Sequence, residues 1–169
     1  MSYRISTFEK VSLKQFSEDM NKQFGELYEC QLEDAYNSIA LPKRATSASA
    51  GYDFKSPIDF VLDPGDSIVI PTGIRCFMPS SWVLMCFPRS GMGFKYQVRL
   101  ANSTAIIDSD YSLSENEGHI MLKLVNGGDK VLNVNPGDGI AQGIFLQYGI
   151  TKDDDADGIR NGGFGSTGR

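Results

Sequence analysis

The chain has 169 residues and a formal charge of −5, from 16 basic and 21 acidic side chains. Its 41% apolar and 22% charged residues are typical of one globular domain and exclude a disordered protein, and no apolar run approaches the roughly 20 residues of a membrane helix. The acidic balance excludes wholesale binding to a nucleic-acid backbone, although a few arginines could still hold a phosphorylated small ligand.

The few cysteines and the one histidine limit the disulfides and metal sites that the chain could form. Cys30, Cys76 and Cys86 form no C-x-x-C pair, so we expect reduced, buried thiols in the cytoplasm rather than a disulfide framework or a zinc site. His119 is the only histidine, which excludes a multi-histidine metal centre. The first residues show no apolar stretch of the kind found in a signal peptide, which also favours a cytoplasmic protein.

The first predicted element is a helix over residues 12–24. Phe16, Met20 and Phe24 recur every four residues, Ser12 is suited to the N-cap, and Gly25 is suited to the end. Residues 26–40 are ambiguous between a short helix and a loop. We expect residues 1–40 to form an N-terminal helical extension.

From residue 54 onward, runs of β-branched and aromatic residues alternate with turn signals. This pattern predicts an all-β barrel or sandwich over residues 41–150. Residues 63–66 have Pro and Gly at the two central positions that a type II turn needs, and residues 135–138 have the same Pro-Gly pair. Residues 126–129 are a candidate hairpin turn. The predicted strands cover residues 67–78, 82–87, 95–101, 119–125, 131–134 and 140–148.

Residues 151–169 are predicted to form a flexible, glycine-rich C-terminal arm. A segment so rich in glycine cannot hold a fold of its own. Phe164 could nevertheless cover a flat ring, while Ser166, Thr167 and Arg160 could bind anionic oxygens. The composition therefore favours an arm that closes over a ligand.

Four short segments within the β region could carry chemistry, although each is weak alone. Arg89 and Ser90 follow a strand in a Gly-containing loop that could hold a phosphate, or could be an ordinary turn. Asp108 follows an apolar pair and could deprotonate a water, or could cap a turn. Gln142 could contact a ligand or satisfy a core hydrogen bond. The four segments are residues 50–54, 88–93, 102–111 and 137–142.

In their order along the chain, these segments and the glycine-rich end resemble the five motifs of the homotrimeric dUTPase family. The strings at 107–111, Ile-Asp-Ser-Asp-Tyr, and at 162–168, Gly-Gly-Phe-Gly-Ser-Thr-Gly, are highly specific. The long N-terminal helix is similar to that of a subset from low-GC Gram-positive bacteria and their phages. The resemblance implies a β-barrel or jelly-roll homotrimer with active sites shared at subunit interfaces. It also implies Mg²⁺-dependent hydrolysis of dUTP to dUMP and pyrophosphate, which keeps uracil out of DNA and supplies dUMP for dTMP synthesis.

The resemblance implies a role for each matching residue. Asp108 would be the base that activates the attacking water, Tyr111 would pack under the deoxyribose, and Phe164 would stack over uracil. Asp53 would lie near the metal through water, with Mg²⁺ carried on phosphate oxygens rather than in a protein cage. The implied uracil contacts are Asn102 and the backbone of Ile106, Ile107 and Asp108, and Met121 is an implied substrate contact. The implied phosphate contacts are Arg89, Ser90, Gly91, Gln142, Arg160, Gly165, Ser166 and Thr167.

The sequence departs from the family pattern in four places. Ala105 and Gly139 stand where the family usually has Gly and Arg, the link after Tyr111 is longer at residues 112–118, and Arg160 lies one residue closer to the glycine pair. Two alternatives stay open: a dCTP deaminase of the same fold, and a phage regulatory protein that binds a host partner through residues 112–117 or the N-terminal helix. We expect neither membrane nor direct nucleic-acid binding.

Overall fold

Strands dominate residues 3–162, the part of the chain that the computed structural model describes. The strands are β1 (Thr7–Lys10), β2 (Lys43–Arg44), β3 (Tyr52–Lys55), β4 (Phe60–Leu62), β5 (Ser67–Pro71), β6 (Ile74–Phe77), β7 (Trp82–Pro88), β8 (Val98–Leu100), β9 (Ala105–Ile107), β10 (Met121–Asn126), β11 (Leu132–Val134) and β12 (Gly139–Gln147). The helices are α1 (Leu13–Phe24), α2 (Glu29–Ser38) and α3 (Ser90–Tyr96), and Ser109–Leu113 is a 3₁₀ turn.

The strands pair only in antiparallel fashion within the described residues. The largest sheet has the order β2-β3-β12-β7-β9, and the smaller ones are β5-β10-β8, β1-β6 and β11-β4. Burial alternates along β10, as expected of a strand with one face on the core. This mostly-β architecture agrees with the predicted fold class.

A single hydrophobic cluster joins the helices to the sheets. Phe16 and Met20 of α1 pack in the same core as Phe54, Leu84 and Ile140. Each such side chain contributes about 1.5–3 kcal/mol on burial, so helix and sheets stabilise one another.

The N-terminal helix has the ends that the sequence predicts. The Ser12 side chain accepts a hydrogen bond from the Gln15 N–H at 3.1 Å, and the Gly25 N–H donates to the Asn21 carbonyl at 2.9 Å. The ambiguous stretch 26–40 contains α2.

Glycine turns also behave as predicted at residues 63–66. Gly65 has φ +87°, and the Asp66 N–H donates to the Asp63 carbonyl at 3.1 Å, as in a type II turn. The hairpin predicted at 126–129 is wrong, because β10 and β11 belong to different sheets. The buried Asn126 amide causes the departure: it donates to the carbonyls of Leu62 and Lys130 and directs the chain towards β4.

Two predicted strands differ from the structure. The segment 67–78 divides at Gly73, with φ +71°, into β5 and β6, which join different sheets. The segment 95–101 is strand only from Val98, because Lys95 and Tyr96 end α3. Helix α3 forms despite two glycines, since it buries Met92 against the core.

The thiols are all free, and two of them are buried. Burial raises the pKa of Cys76 and of Cys86 to about 12, so neither forms a thiolate near neutral pH. The expectation that all three are buried is wrong for Cys30, which lies on the solvent side of α2. No helix within residues 3–162 combines the length and apolar character needed to cross a membrane.

Candidate active site

Three of the predicted site residues meet on the largest sheet and form what we call the Arg89 cluster: Asp53, Arg89 and Gln142. Strand register places Gln142 opposite Asp53 on one side and Phe87 on the other. The Gln142 amide donates to the Pro88 carbonyl at 3.3 Å, and Arg89 Nε lies 3.1 Å from Asp53 Oδ1. Together with Ser90 they line an open cavity of about 200 Å³. One guanidinium, one hydroxyl and one amide around such a space are suited to phosphate oxygens.

Two glycines make room for this cluster. A Cβ at Gly51 would lie 2.7 Å from Gln142 Oε1. A Cβ at Gly139 would lie 2.7 Å from Arg89 Cζ and 2.9 Å from its Cδ. Gly139, one of the departures from the family pattern, therefore lets the Arg89 side chain cross β12.

The Asp108 cluster, which we define as Asp108, Asp110 and Arg160, lies where β9 ends and the 3₁₀ turn begins. Arg160 Nη2 donates to Asp108 Oδ2, and Arg160 Nε donates to Asp110 Oδ1 at 2.8 Å. Both carboxylates are close to half exposed, whereas the Arg160 side chain is mostly buried. Arg160 thus offsets part of the negative charge of the two acids and occupies one of the two carboxylate oxygens of Asp108.

Tyr111 lies in the 3₁₀ turn with its ring almost wholly buried. Its hydroxyl donates to the His119 carbonyl at 2.8 Å and accepts from the Asn116 amide at 2.9 Å. Burial is the largest influence on this phenol and raises its pKa, so it stays neutral. The ring is therefore held in one orientation.

The predicted uracil contacts divide into two groups. Asn102 and Met121 line a cavity of about 320 Å³ together with Ala105. Ile106 is half exposed, whereas Ile107 is buried on the opposite face of β9, and neither side chain lines this cavity. The side chains of Asn102 and Met121, rather than those of the two isoleucines, meet in one space.

The Arg89 and Asp108 clusters lie at opposite ends of β7. Strand β9 runs antiparallel to β7, with Ile107 opposite Leu84 and Ala105 opposite Cys86. Asp108 therefore lies near the start of β7 and Arg89 beyond its end. At about 3.3 Å per residue, some 20 Å separates the two backbones. Within one chain the two clusters therefore do not adjoin.

A buried hydrogen bond between Asp19 and His119, which the sequence analysis missed, connects α1 to the segment before β10. His119 is fully buried, its Nδ1 lies 2.6 Å from Asp19 Oδ2, and its Nε2 accepts the Gly73 N–H at 2.7 Å. Because Nε2 accepts a hydrogen bond, the proton is on Nδ1 and is donated to Asp19. Burial alone would raise the pKa of Asp19, but hydrogen bonds from His119 and Gln15 outweigh it and lower that pKa. The available signal was that Asp19 lies three residues after Phe16, on the buried face of α1.

Gly91, another predicted site residue, lies in the first turn of α3. The other predicted site residues lie outside the described part of the chain: Phe164, Gly165, Ser166 and Thr167. Within residues 3–162, no group of three or more His, Cys, Asp or Glu side chains could hold a metal ion.

Comparison with known proteins identifies the family of this chain. A family model described as dUTPase matches residues 37–168. The deoxyuridine 5'-triphosphate nucleotidohydrolase of Shigella sonnei is 38% identical over 137 residues, which cover 76% of this chain and 87% of that protein.

Solved structures show the same fold. The dUTPase of Streptococcus mutans superposes with a TM-score of 0.64 at 29% identity and covers 86% of this chain and 98% of its own. A mutant dUTPase from phage phi11 of S. aureus, described for the coordination of a structural Mg(II) ion, gives a TM-score of 0.59 at 20% identity, over 72% of this chain and 92% of its own. The family match spans most of the chain, and the identity to a curated relative extends over three quarters of it. This chain belongs to the dUTPase family.

Proposed function

We propose that this protein hydrolyses dUTP to dUMP and pyrophosphate in the cytoplasm, which keeps uracil out of DNA and supplies dUMP for dTMP synthesis. The observation that carries the proposal is the pairing of a guanidinium–amide cluster around Arg89 with a separate carboxylate cluster around Asp108. Attack of water on a phosphorus needs both neutralised phosphate oxygens and an oriented nucleophile.

The site is complete only when copies of the chain associate. Asp108 must lie within about 2.6–3.2 Å of the attacking water while Arg89 holds the same phosphate chain, and about 20 Å of backbone separates these two residues within one chain. The proposed assembly is a homotrimer in which one subunit supplies Asp108 and a neighbour supplies Arg89. Residues 41–150 form its β-barrel, residues 1–40 are the helical extension, and the C-terminal arm at 151–169 closes over a neighbouring site.

Asp108 is the general base of the proposed reaction. It takes a proton from water as the water attacks the α-phosphorus, and pyrophosphate leaves. Arg160, which holds Asp108 in the free chain, turns to the triphosphate, so that substrate binding releases the base. Arg89, Ser90, Gly91 and Gln142 bind phosphate oxygens, and Gly165, Ser166 and Thr167 of the arm add donors.

The base and sugar are held on the Asp108 side. The Tyr111 ring, fixed by two hydrogen bonds, packs under the deoxyribose and leaves no room for a 2′-hydroxyl. Asn102 and Met121 contact uracil with the backbone of Ile106 and Ile107, and Phe164 covers the ring.

Mg²⁺ fits this arrangement as an ion carried by the substrate. It is commonly bound by one or two carboxylates and by phosphates, and it keeps several waters. Asp53 has one oxygen on Arg89 and a second that can hold a metal-bound water. When bound, the ion neutralises charge on the phosphate chain.

The direct experiment is a substrate panel of dUTP, dCTP, dTTP and UTP with Mg²⁺ and pyrophosphate detection. The proposal predicts pyrophosphate from dUTP, with dUMP as the other product and little from the other three. Ammonia release from dCTP would instead identify a deaminase, and absence of pyrophosphate from dUTP would refute the proposal.

A further inference from the structure

The 320 Å³ cavity that contains Asn102 and Met121 has a second wall that the proposed function does not use. This wall is the last turn of α1, from which Lys22 and Gln23 line the cavity. The volume is within the range of about 300–1,000 Å³ found for small-molecule sites. We call this space the α1 cavity.

Helix α1 is fixed firmly enough to act as a wall. The buried Asp19–His119 pair joins its middle to the segment that precedes β10. At its start, the Ser12 hydroxyl and N–H both donate to the Glu117 carboxylate, at 2.6 and 2.7 Å. Glu117 belongs to the long link after Tyr111, so this insertion holds α1 beside the cavity.

The polar groups of the α1 cavity are mainly donors. Its polar lining residues are Lys22, Gln23, Asn102 and Lys123, and no carboxylate is among the lining residues that the structure describes. A lysine ammonium donates hydrogen bonds and cannot accept them, whereas an amide does both. Uracil presents an acceptor oxygen at C4 where cytosine presents an amino donor. Each base also has acceptors elsewhere on its edge, O2 in uracil and O2 and N3 in cytosine, so a donor-rich wall favours uracil where that wall faces C4.

The Gln23 side chain is available for such a contact. It is half-buried at the cavity, and no hydrogen bond to it occurs within residues 3–162. Lys22 is exposed and likewise takes part in no ion pair within 4.0 Å in that part of the chain.

We propose that Lys22 and Gln23 are specificity-determining residues that form one wall of the base pocket and favour a pyrimidine with a carbonyl at C4 over one with an amino group. The inference rests on the proposed function for the identity of the nucleotide, because Asn102 and Met121 share the cavity as proposed base contacts.

The test compares Lys22→Met and Gln23→Leu, which remove the donors and keep most of the side-chain volume. Lys14→Met is the matched control, because Lys14 lies on the same helix with its side chain 86% exposed.

Dissociation constants for dUMP and dCMP are measured by calorimetry on the full chain, and KM and kcat for dUTP are measured in parallel. In each variant we expect dUMP affinity and the dUMP-over-dCMP preference to fall about three- to tenfold, the effect of one hydrogen bond. KM for dUTP should rise similarly with kcat within about twofold, because the lost contact binds the base equally before and during reaction.

Unchanged dUMP affinity in both variants would overturn the inference. So would an equal loss for dUMP and dCMP, since that result would show a wall without discrimination. If circular dichroism shows that either variant fails to fold while Lys14→Met does fold, Lys22→Ala and Gln23→Ala, which also remove the donors and suit a helix, take their places under the same criteria. If the wild-type protein prefers dUMP to dCMP and both variants lose that preference, but no pyrophosphate is released from dUTP, the proposed function is refuted and the pocket assignment is supported.

Discussion

The Arg89 and Asp108 clusters are assembled in different ways. The members of the Arg89 cluster stand on or directly after neighbouring strands of one sheet, and the register of β3, β12 and β7 places them side by side. The Asp108 cluster lies at a strand end, and Arg160 reaches it from 52 residues further along the chain. One cluster is thus part of the sheet, whereas the other depends on a residue of the C-terminal segment that the proposed mechanism requires to move.

The Arg89 and Asp108 clusters also differ in their balance of positive and negative side chains. The Arg89 cluster has one cation beside one carboxylate, and the Asp108 cluster has one cation shared by two. An anionic substrate is therefore attracted to the first and competes with the carboxylates for Arg160 in the second. The comparison teaches that phosphate binding and base activation are separate functions in the proposed mechanism, and that the fold places the two clusters at opposite ends of one strand.

Removing the base should have the largest effect. Asp108→Asn keeps the shape of the side chain and one acceptor oxygen but cannot take up the proton, so kcat for dUTP should fall about 10²–10⁴-fold. KM should change little. Steady-state pyrophosphate release measures both, with Asp110→Asn as the control that retains more activity. Normal turnover by Asp108→Asn would remove this residue from the mechanism.

Truncation after Asp157 sharpens the comparison, because it removes Arg160 and the glycine-rich motif while sparing the Arg89 cluster. We expect kcat/KM to fall on the order of 10²–10³-fold through the loss of charge-stabilising donors. Size-exclusion chromatography should show an unchanged assembly. Full activity in the shortened chain would contradict the proposed role of the arm.

A smaller effect is expected from crowding the Arg89 cluster. Gly139→Ala places a methyl group where Arg89 crosses β12, so the guanidinium must move away from Asp53. Because that pair is partly exposed, the loss is within about 1 kcal/mol, which corresponds to a rise in KM of about two- to fivefold. Gly149→Ala is the control, since nothing lies within 4 Å of its added Cβ. Equal kinetics for the two variants would show that Gly139 does not position Arg89.

The stability that the Ser12–Glu117 hydrogen bonds give to α1 should depend weakly on pH. A hydrogen bond from Ser12 is the main reason that the pKa of Glu117 lies below its usual 4.5. A depressed folded-state pKa contributes stability that is present above the unfolded value and is lost as the pH falls through the folded value. Glu117→Gln should therefore cost up to about 1 kcal/mol at pH 7, and this difference should narrow below pH 4.5. Thermal unfolding measured across that range checks it, with exposed Glu33→Gln as the control. A constant difference at every pH would contradict the assignment.

Local patterns predicted much of the fold. The ends of α1 and the turn at Gly65 depend on residues a few positions apart, so the sequence is sufficient to find them. The two errors at 67–78 and 95–101 occur where β5 and β6 join different sheets and where packing of Met92 overrides the low helix propensity of glycine.

The candidate site was predictable as a set of motifs but not as an arrangement. The separation of Asp108 from Arg89 follows from the pairing of β7 with β9, a non-local register that neither motif contains. The Asp19–His119 pair joins residues 100 positions apart, and the position of Lys22 beside Asn102 follows from it. Such contacts depend on tertiary packing, and a single sequence does not display them.

Subunit complementation tests the central claim most directly. Asp108→Asn and Arg89→Ala are each expected to be nearly inactive alone. When they are co-expressed, a site that takes Asp108 from an Arg89→Ala subunit and Arg89 from an Asp108→Asn subunit has both groups intact. For random assembly in a ring, about a quarter of the sites meet this condition. The account predicts pyrophosphate release approaching that fraction of wild-type activity, whereas a mixed preparation as inactive as its parents would contradict a site shared between chains.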